Sequence, residues 1–168
     1  MPLSFDMPLD ALKTYQGRNP RPNDFDQYWD RALAELDRLD PKVQLVSAAR
    51  KAPSGTGPEP DFAAYYDLYF TGIGGSRIYA KLIRPLGSAA QRRTGSNGKG
   101  PAIIQFHGYS MHSGDWQSRL GLAAAGFTVA ALDCRGQGGR TEDLSPVRGT
   151  TLNGHIIRGL ERCLEGRA

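Results

Sequence analysis

What this 168-residue chain has little of narrows its class before any motif is read. Its two cysteines, Cys134 and Cys163, stand in unrelated contexts without metal-ligand spacing, so neither a disulfide framework nor a zinc site is supported. No cationic segment followed by an apolar core opens the chain, and no apolar run approaches membrane-spanning length. The expectation is a cytoplasmic protein with no membrane partner. Charge of one sign is also scarce. The formal balance is +4, and much of it traces to Arg92, Arg93 and Lys99 in one loop and to Arg158, Arg162 and Arg167 near the end. No basic face follows, so nucleic acid is not an expected partner. Glycine is plentiful, yet no Gly-Lys-Ser/Thr occurs, and the glycine-rich stretch 87–100 follows no strand signal directly. A phosphate-binding loop is therefore not indicated, no internal repeat is visible, and nothing calls for a cofactor or a metal.

What is present points to an α/β architecture. Hydrophobic residues make up 39% and charged residues 23%, which suits one globular domain or part of one. A closed chain of this length buries roughly two-thirds of its unfolded surface. The organising stretch is Pro101–Arg140. Ala102–Phe106 is a short β-branched and apolar run between Gly100-Pro101 and Gly108. Asp115 then opens a segment with Trp116, Leu120, Ala123 and Ala124 at helical spacing, and Gly126 stops it. Phe127–Leu132 carries neither charge nor alternation, which predicts a strand buried on both faces. Strand, helix and strand of this kind form a βαβ unit of a parallel sheet, with ligands expected beyond the carboxyl ends of the strands.

Upstream, residues 1–22 hold Pro2, Pro8, Pro20 and Pro22 and are expected as an extended arm. Residues 23–41 are expected as a helix. Asp24 and Gln27 form a capping-box variant there, and Phe25, Tyr28/Trp29, Ala32/Leu33, Leu36 and Leu39 make an apolar face to pack on a core. Residues 42–168 are expected as a partial sheet. Val43–Ser47 suits a short strand and Ala52–Pro60 a loop. Tyr65–Thr71 and Arg77–Arg84 flank Gly72–Ser76 as a half-buried antiparallel hairpin. Gly87–Gly100 is expected as an aperiodic surface connection. An antiparallel hairpin leading into one βαβ unit is the start of an α/β-hydrolase sheet, here incomplete. In that fold the loop after the third strand supplies one backbone N–H to the oxyanion hole. His107-Gly108-Tyr109 stands at that place, where a glycine allows the sharp turn that aims an amide at developing negative charge.

Three motifs in order carry a resemblance. YQGRNPRPNDFDQYW (Tyr15–Trp29), QFHGYSMHSGDW (Gln105–Trp116) and LDCRGQGG (Leu132–Gly139) resemble the acetyl xylan esterase/cephalosporin C deacetylase family, and GTTLNGHIIRGL (Gly149–Leu160) continues the match. The resemblance implies an α/β-hydrolase fold, no cofactor, and removal of acetyl groups from short acetylated xylo-oligosaccharides and cephalosporin C. It implies the Tyr109 backbone N–H as an oxyanion donor, supported by His107 and Gly108, and Arg135, Gly136 and Gln137 as a brace of the active-site region. It also implies a homo-oligomer, commonly a hexamer.

The departures shape the functional expectation. No serine stands in Gly-x-Ser-x-Gly: Ser110 lacks the second glycine and Ser96 the first. The family's catalytic Asp and His follow the nucleophile in chain order, and the sequence stops before them. The terminal ERCLEGRA reads as a truncation or frameshift end. The expectation is an N-terminal portion that is inactive alone. Half of a split esterase completed by a C-terminal fragment, or a non-catalytic sugar-binding or oligomerisation module, stand as alternatives. A relay of Ser110, His112 and Asp115 is disfavoured, because residues two apart in a loop seldom face each other. In the hydrolase strand order Ala102–Phe106 pairs with Phe127–Leu132 on one side only, which leaves an aliphatic edge.

Overall fold

The β-branched and aromatic runs form strands because such side chains pack well on a pleated surface. In the computed structural model, which describes residues 7–48 and 61–144, five strands make one sheet. They are β1 (Gln44–Ser47), β2 (Ala63–Thr71), β3 (Arg77–Pro85), β4 (Ala102–Gln105) and β5 (Thr128–Leu132), in the order β1-β2-β3-β5-β4. β1, β2, β3 and β5 meet antiparallel, and β5 pairs with β4 in parallel. The hairpin expected around Gly72–Ser76 forms, closed by the Gly72 N–H donating to the Ser76 carbonyl at 2.8 Å. A parallel pair needs a crossover, and α4 (Leu120–Ala124) supplies it after a 3₁₀ turn at Gln117–Arg119. Asp115 starts that turn by accepting the Ser118 N–H at 2.8 Å.

Strand register assembles the core. Tyr65, Ile83, Val129 and Ile103 line up across four strands on one face. Ala123 of α4 packs on that row with Tyr65 and Ile83, while Trp116 and Leu120 close its flank. The Tyr65 and Trp116 rings meet edge to face, with centroids 5.7 Å apart. Burying a residue such as Ile83 is worth roughly 1.5–3 kcal/mol, and this row supplies several.

The opposite face tells a different story along its length. Tyr66, Leu82, Ala130 and Ile104 form its matching row. Leu82 in the middle is 8% exposed, whereas Ile104 on β4 is 66% exposed. Two expectations change as a result. β3 is not half-buried: Tyr79 and Ile83 on one face and Ile78, Ala80 and Leu82 on the other are all buried, because β3 lies between two neighbours in mid-sheet. β5 is not buried on both faces. Val129 and Ala131 are covered on the α4 side, and Thr128, Ala130 and Leu132 are only half-buried.

Two further segments differ from the sequence reading. The aperiodic connection begins with a short helix, α3 (Gly87–Gln91), whose Ala89 is buried. The region expected as an extended arm contains α1 (Leu9–Thr14). Pro8 precedes its first residue, where proline is tolerated, and no proline lies within it. Met1–Asp37 and Arg38–Ala168 are two compact units. The helix expected over 23–41 runs Phe25–Arg38 (α2). On it the Phe25 and Trp29 rings meet at a tilt and the Tyr28 and Trp29 rings edge to face, with centroids 6.3 and 5.5 Å apart, and the Arg21 guanidinium lies 4.6 Å from the Phe25 ring. The expected loop over Ala52–Pro60, and His155, Cys163 and the Gly149–Leu160 motif, lie outside the described residues.

Candidate active site

Along the α4-covered face the sheet turns polar toward the carboxyl ends of β4 and β5. The row after Tyr65–Ile83–Val129–Ile103 is Asp67, Lys81, Ala131 and Gln105. Beyond it come the two loops that the sequence singled out, His107-Gly108-Tyr109 after β4 and Arg135-Gly136-Gln137 after β5. Parallel pairing brings both to the same end of the sheet.

The two loops hold each other through named bonds. The Cys134 N–H donates to His107 Nε2 at 2.9 Å. Because Nε2 accepts, the proton sits on Nδ1, which donates to the Gly108 carbonyl at 2.8 Å. His107 is thus a neutral, oriented tautomer that ties its own turn to the end of β5. Gln137 reaches back the other way: its Oε1 accepts the Ser110 N–H at 3.0 Å. Ser110 has φ of +69°, a left-handed backbone that this side-chain bond helps to hold. The Gly138 N–H donates to the Met111 carbonyl at 3.0 Å, and a Cβ at Gly138 would lie 2.6 Å from that oxygen, so only glycine permits the approach. Arg135 donates to the Ile73 carbonyl at 3.0 Å and pairs with Asp143 at 3.8 Å, fastening its loop to the hairpin turn. Tyr109, at the crest of the first loop, is 46% exposed.

One organising residue was missed in the sequence. Asp133 is 1% exposed and directly follows β5. Its carboxylate accepts the Ser113 N–H at 2.6 Å from one loop and the Arg140 N–H at 2.8 Å from the other. Lys81 Nζ donates to Ser113 Oγ at 2.6 Å. Burial alone would raise the Asp133 pKa, but the hydrogen bonds from Arg140 and Ser113 and the nearby Lys81 charge outweigh it and hold the carboxyl below its ordinary value. Lys81 moves down, chiefly through burial, with Asp133 opposing. Gly139 runs so close that a Cβ there would sit 1.9 Å from Asp133 Oδ2, and its φ of +89° also favours glycine. Arg140 continues outward to Asp67 Oδ2 at 2.9 Å, and Tyr79 donates its hydroxyl to Asp67 Oδ1 at 2.6 Å. The available signal was a carboxylate placed directly after an uncharged strand, together with a lysine between Ala80 and Leu82 at the middle of β3.

A concavity of about 480 Å³ opens beside the end of β4, lined by residues including Ile104, Phe106, His107, Ser113 and Arg119. The disfavoured relay does not form: His112 Nδ1 accepts the Gly114 N–H, and the Asp115 carboxylate accepts the Ser118 N–H. That hydrogen bond from Ser118 is the main reason the Asp115 carboxyl lies below its ordinary value. Among the described residues no group of three or more His, Cys, Asp or Glu is arranged to hold a metal ion. No helix among them is long and apolar enough to cross a membrane.

The family model described as acetyl xylan esterase (AXE1) matches residues 1–166. The chain belongs to the acetyl xylan esterase family. Its fold is α/β, and its structural neighbours are esterases of the α/β-hydrolase type. It is similar to acetyl xylan esterase 1 from Thermoanaerobacterium sp. JW/SL YS485, with 52% identity and a TM-score of 0.75 over 94% of this chain and 44% of that one. It is also similar to the acetyl xylan esterase from Paenibacillus sp. R4, with 29% identity and a TM-score of 0.66 over 85% of this chain and 41% of that one. The chain therefore spans less than half the length of these two esterases.

Proposed function

We propose that this chain is the N-terminal portion of a serine carboxylesterase that removes acetyl groups from short acetylated xylo-oligosaccharides, with cephalosporin C as a further ester of the same chemistry. In this reading the Tyr109 backbone N–H is one of two donors to the tetrahedral oxyanion, and Gly108 and the oriented His107 shape its turn. Arg135, Gly136 and Gln137 brace that turn from the neighbouring loop. The observation that carries the reading is the family match over residues 1–166, joined to the bonds Cys134 N–H to His107 and Ser110 N–H to Gln137, which lock the two family motifs together. Oxyanion donors work by being held in place before the charge develops, and this crossed pair of bonds fixes the backbone on both sides of Tyr109.

The reading also assigns an incapacity. Among all 168 residues no serine occurs in Gly-x-Ser-x-Gly, and the second oxyanion donor of the fold follows that serine. Loss of the nucleophile costs on the order of 10⁶ in turnover, and loss of one oxyanion donor about 3–4 kcal/mol more. The purified chain should hydrolyse p-nitrophenyl acetate no faster than buffer with an inert protein. Sustained turnover that a serine-directed phosphonate abolishes would contradict this.

A further inference from the structure

Lys81 is a half-buried cation at the middle of the central strand β3, between the buried Ala80 and Leu82. Register sets it beside Asp67 and Ala131, on the face that α4 covers. An ammonium ion taken out of water into a sheet costs stability unless a partner replaces its hydration. Its hydrogen-bond partner is not a carboxylate but the Ser113 hydroxyl, at 2.6 Å. The Tyr79 and Trp116 rings flank it, with centroids 5.3 and 5.8 Å from Nζ. Asp133 and Asp67 attract it at longer range, and Arg140 and Arg119 repel it. Burial outweighs the attraction and holds its pKa below the ordinary lysine value, so the charge works against the stability of the sheet.

What the ammonium holds is the foot of the loop that follows β4. Ser113 is 1% exposed, and its N–H donates to Asp133. Its hydroxyl accepts from Lys81 and helps to stabilise the Asp133 carboxylate. Two residues earlier, the Met111 N–H donates to the Gly108 carbonyl at 3.1 Å and closes a turn whose central residues are Tyr109 and Ser110. Ser110 takes its left-handed φ of +69° there, at a place that usually belongs to glycine, and such a backbone persists only where its surroundings hold it. The other fasteners of this loop named above, Cys134, Gln137, Gly138 and Asp133, all belong to the segment after β5. Lys81 ties the loop instead to the centre of the sheet. We propose that Lys81 is a positioning residue for the Tyr109 turn, acting through Ser113: its ammonium fixes the end of the loop against β3, so that the Tyr109 amide is aimed before charge develops. This rests on the reading of Tyr109 as an oxyanion donor and names a residue that serves the same site.

The test compares Lys81→Met, Ser113→Ala and the double variant with the unaltered full chain, by urea denaturation and by residue-resolved hydrogen exchange. In Lys81→Met the global stability should be unchanged or raised, because an apolar side chain of similar length replaces a half-buried charge. Exchange at the Met111 and Ser113 amides should nevertheless quicken at least about ten-fold, with Leu82 and Val129 in the sheet unaffected. Ser113→Ala should quicken the Met111 amide to a similar extent. The double variant should exceed neither single one, since both remove the same link. Unchanged exchange at Met111 and Ser113 in Lys81→Met overturns the proposal. So does a loss of stability that quickens loop and sheet alike, which would make Lys81 an ordinary structural residue. Additive effects in the double variant would show that Lys81 does not act through Ser113, and overturn it too. Exchange reads the turn itself, so the proposal can fail while the family reading stands. Phosphonate-sensitive turnover by the purified chain would instead overturn that reading, and the oxyanion role of the turn with it.

Discussion

β3 and β4 are both rich in isoleucine and aliphatic residues, and they have opposite fates. In β3, Ile83 is fully buried and Ile78, Ala80 and Leu82 nearly so. In β4, Ile104 is 66% exposed, and Phe106 just beyond it 69%. Their composition does not explain the difference; their neighbours do. β3 has a strand on each side, Ala123 of α4 above Ile83, and an antiparallel register that places Tyr65 and Val129 on either side of Ile83. β4 has β5 and nothing described beyond it. The contrast teaches that apolar sequence marks where burial is needed, and that the burial itself depends on which partners are supplied.

Substitutions sharpen this contrast in decreasing order of effect. Ile83→Ala should destabilise the chain by about 4 kcal/mol, measured by urea denaturation, because a closed mid-sheet site cannot collapse around the lost atoms. A cost below about 1.5 kcal/mol would mean that the centre is as loosely covered as the edge. Asp133→Asn should cost about 2 kcal/mol at neutral pH, since it weakens a buried acceptor of two loop amides. The sign with pH follows from the depressed folded-state pKa of Asp133. Its contribution is complete above the unfolded carboxyl value of about 3.9 and is lost as pH falls through the lower folded value. The variant should therefore show a flatter acid limb in a stability-against-pH curve, and an unchanged limb would remove Asp133 as the clamp. Gln137→Ala should cost about 1 kcal/mol and speed hydrogen exchange at the Ser110 amide several-fold, with the sheet amides unaffected. Ile104→Ala should cost less than about 0.5 kcal/mol, the smallest change of the series, because an exposed edge side chain has little packing to lose.

Much of the sheet was legible before the structure. Turn residues at Gly72–Ser76 and Gly108 punctuate β-branched runs, and that local chemistry survives folding. The β4 edge followed from the hydrolase strand order. What was not legible depends on register and coverage. The His107–Cys134 bond joins residues 27 apart and exists only because β4 and β5 run parallel in one particular register. The alternation in β5 is invisible in a run with no charge, because coverage by α4 on one face creates it. Asp133 reads as an ordinary loop residue until Ser113 and Arg140 are seen to converge on it.

Residue-resolved hydrogen exchange on the chain alone tests the open edge most directly. Pairing with β5 protects the amides of Ile103 and Gln105, whereas the Ile104 amide faces away from it. The account predicts that Ile104 exchanges at least about 100-fold faster than Ile103 and Gln105, while Leu82 and Ile83 at the sheet centre exchange slowest of all. Equal protection of Ile103, Ile104 and Gln105 would show that something already covers the edge, and would contradict it.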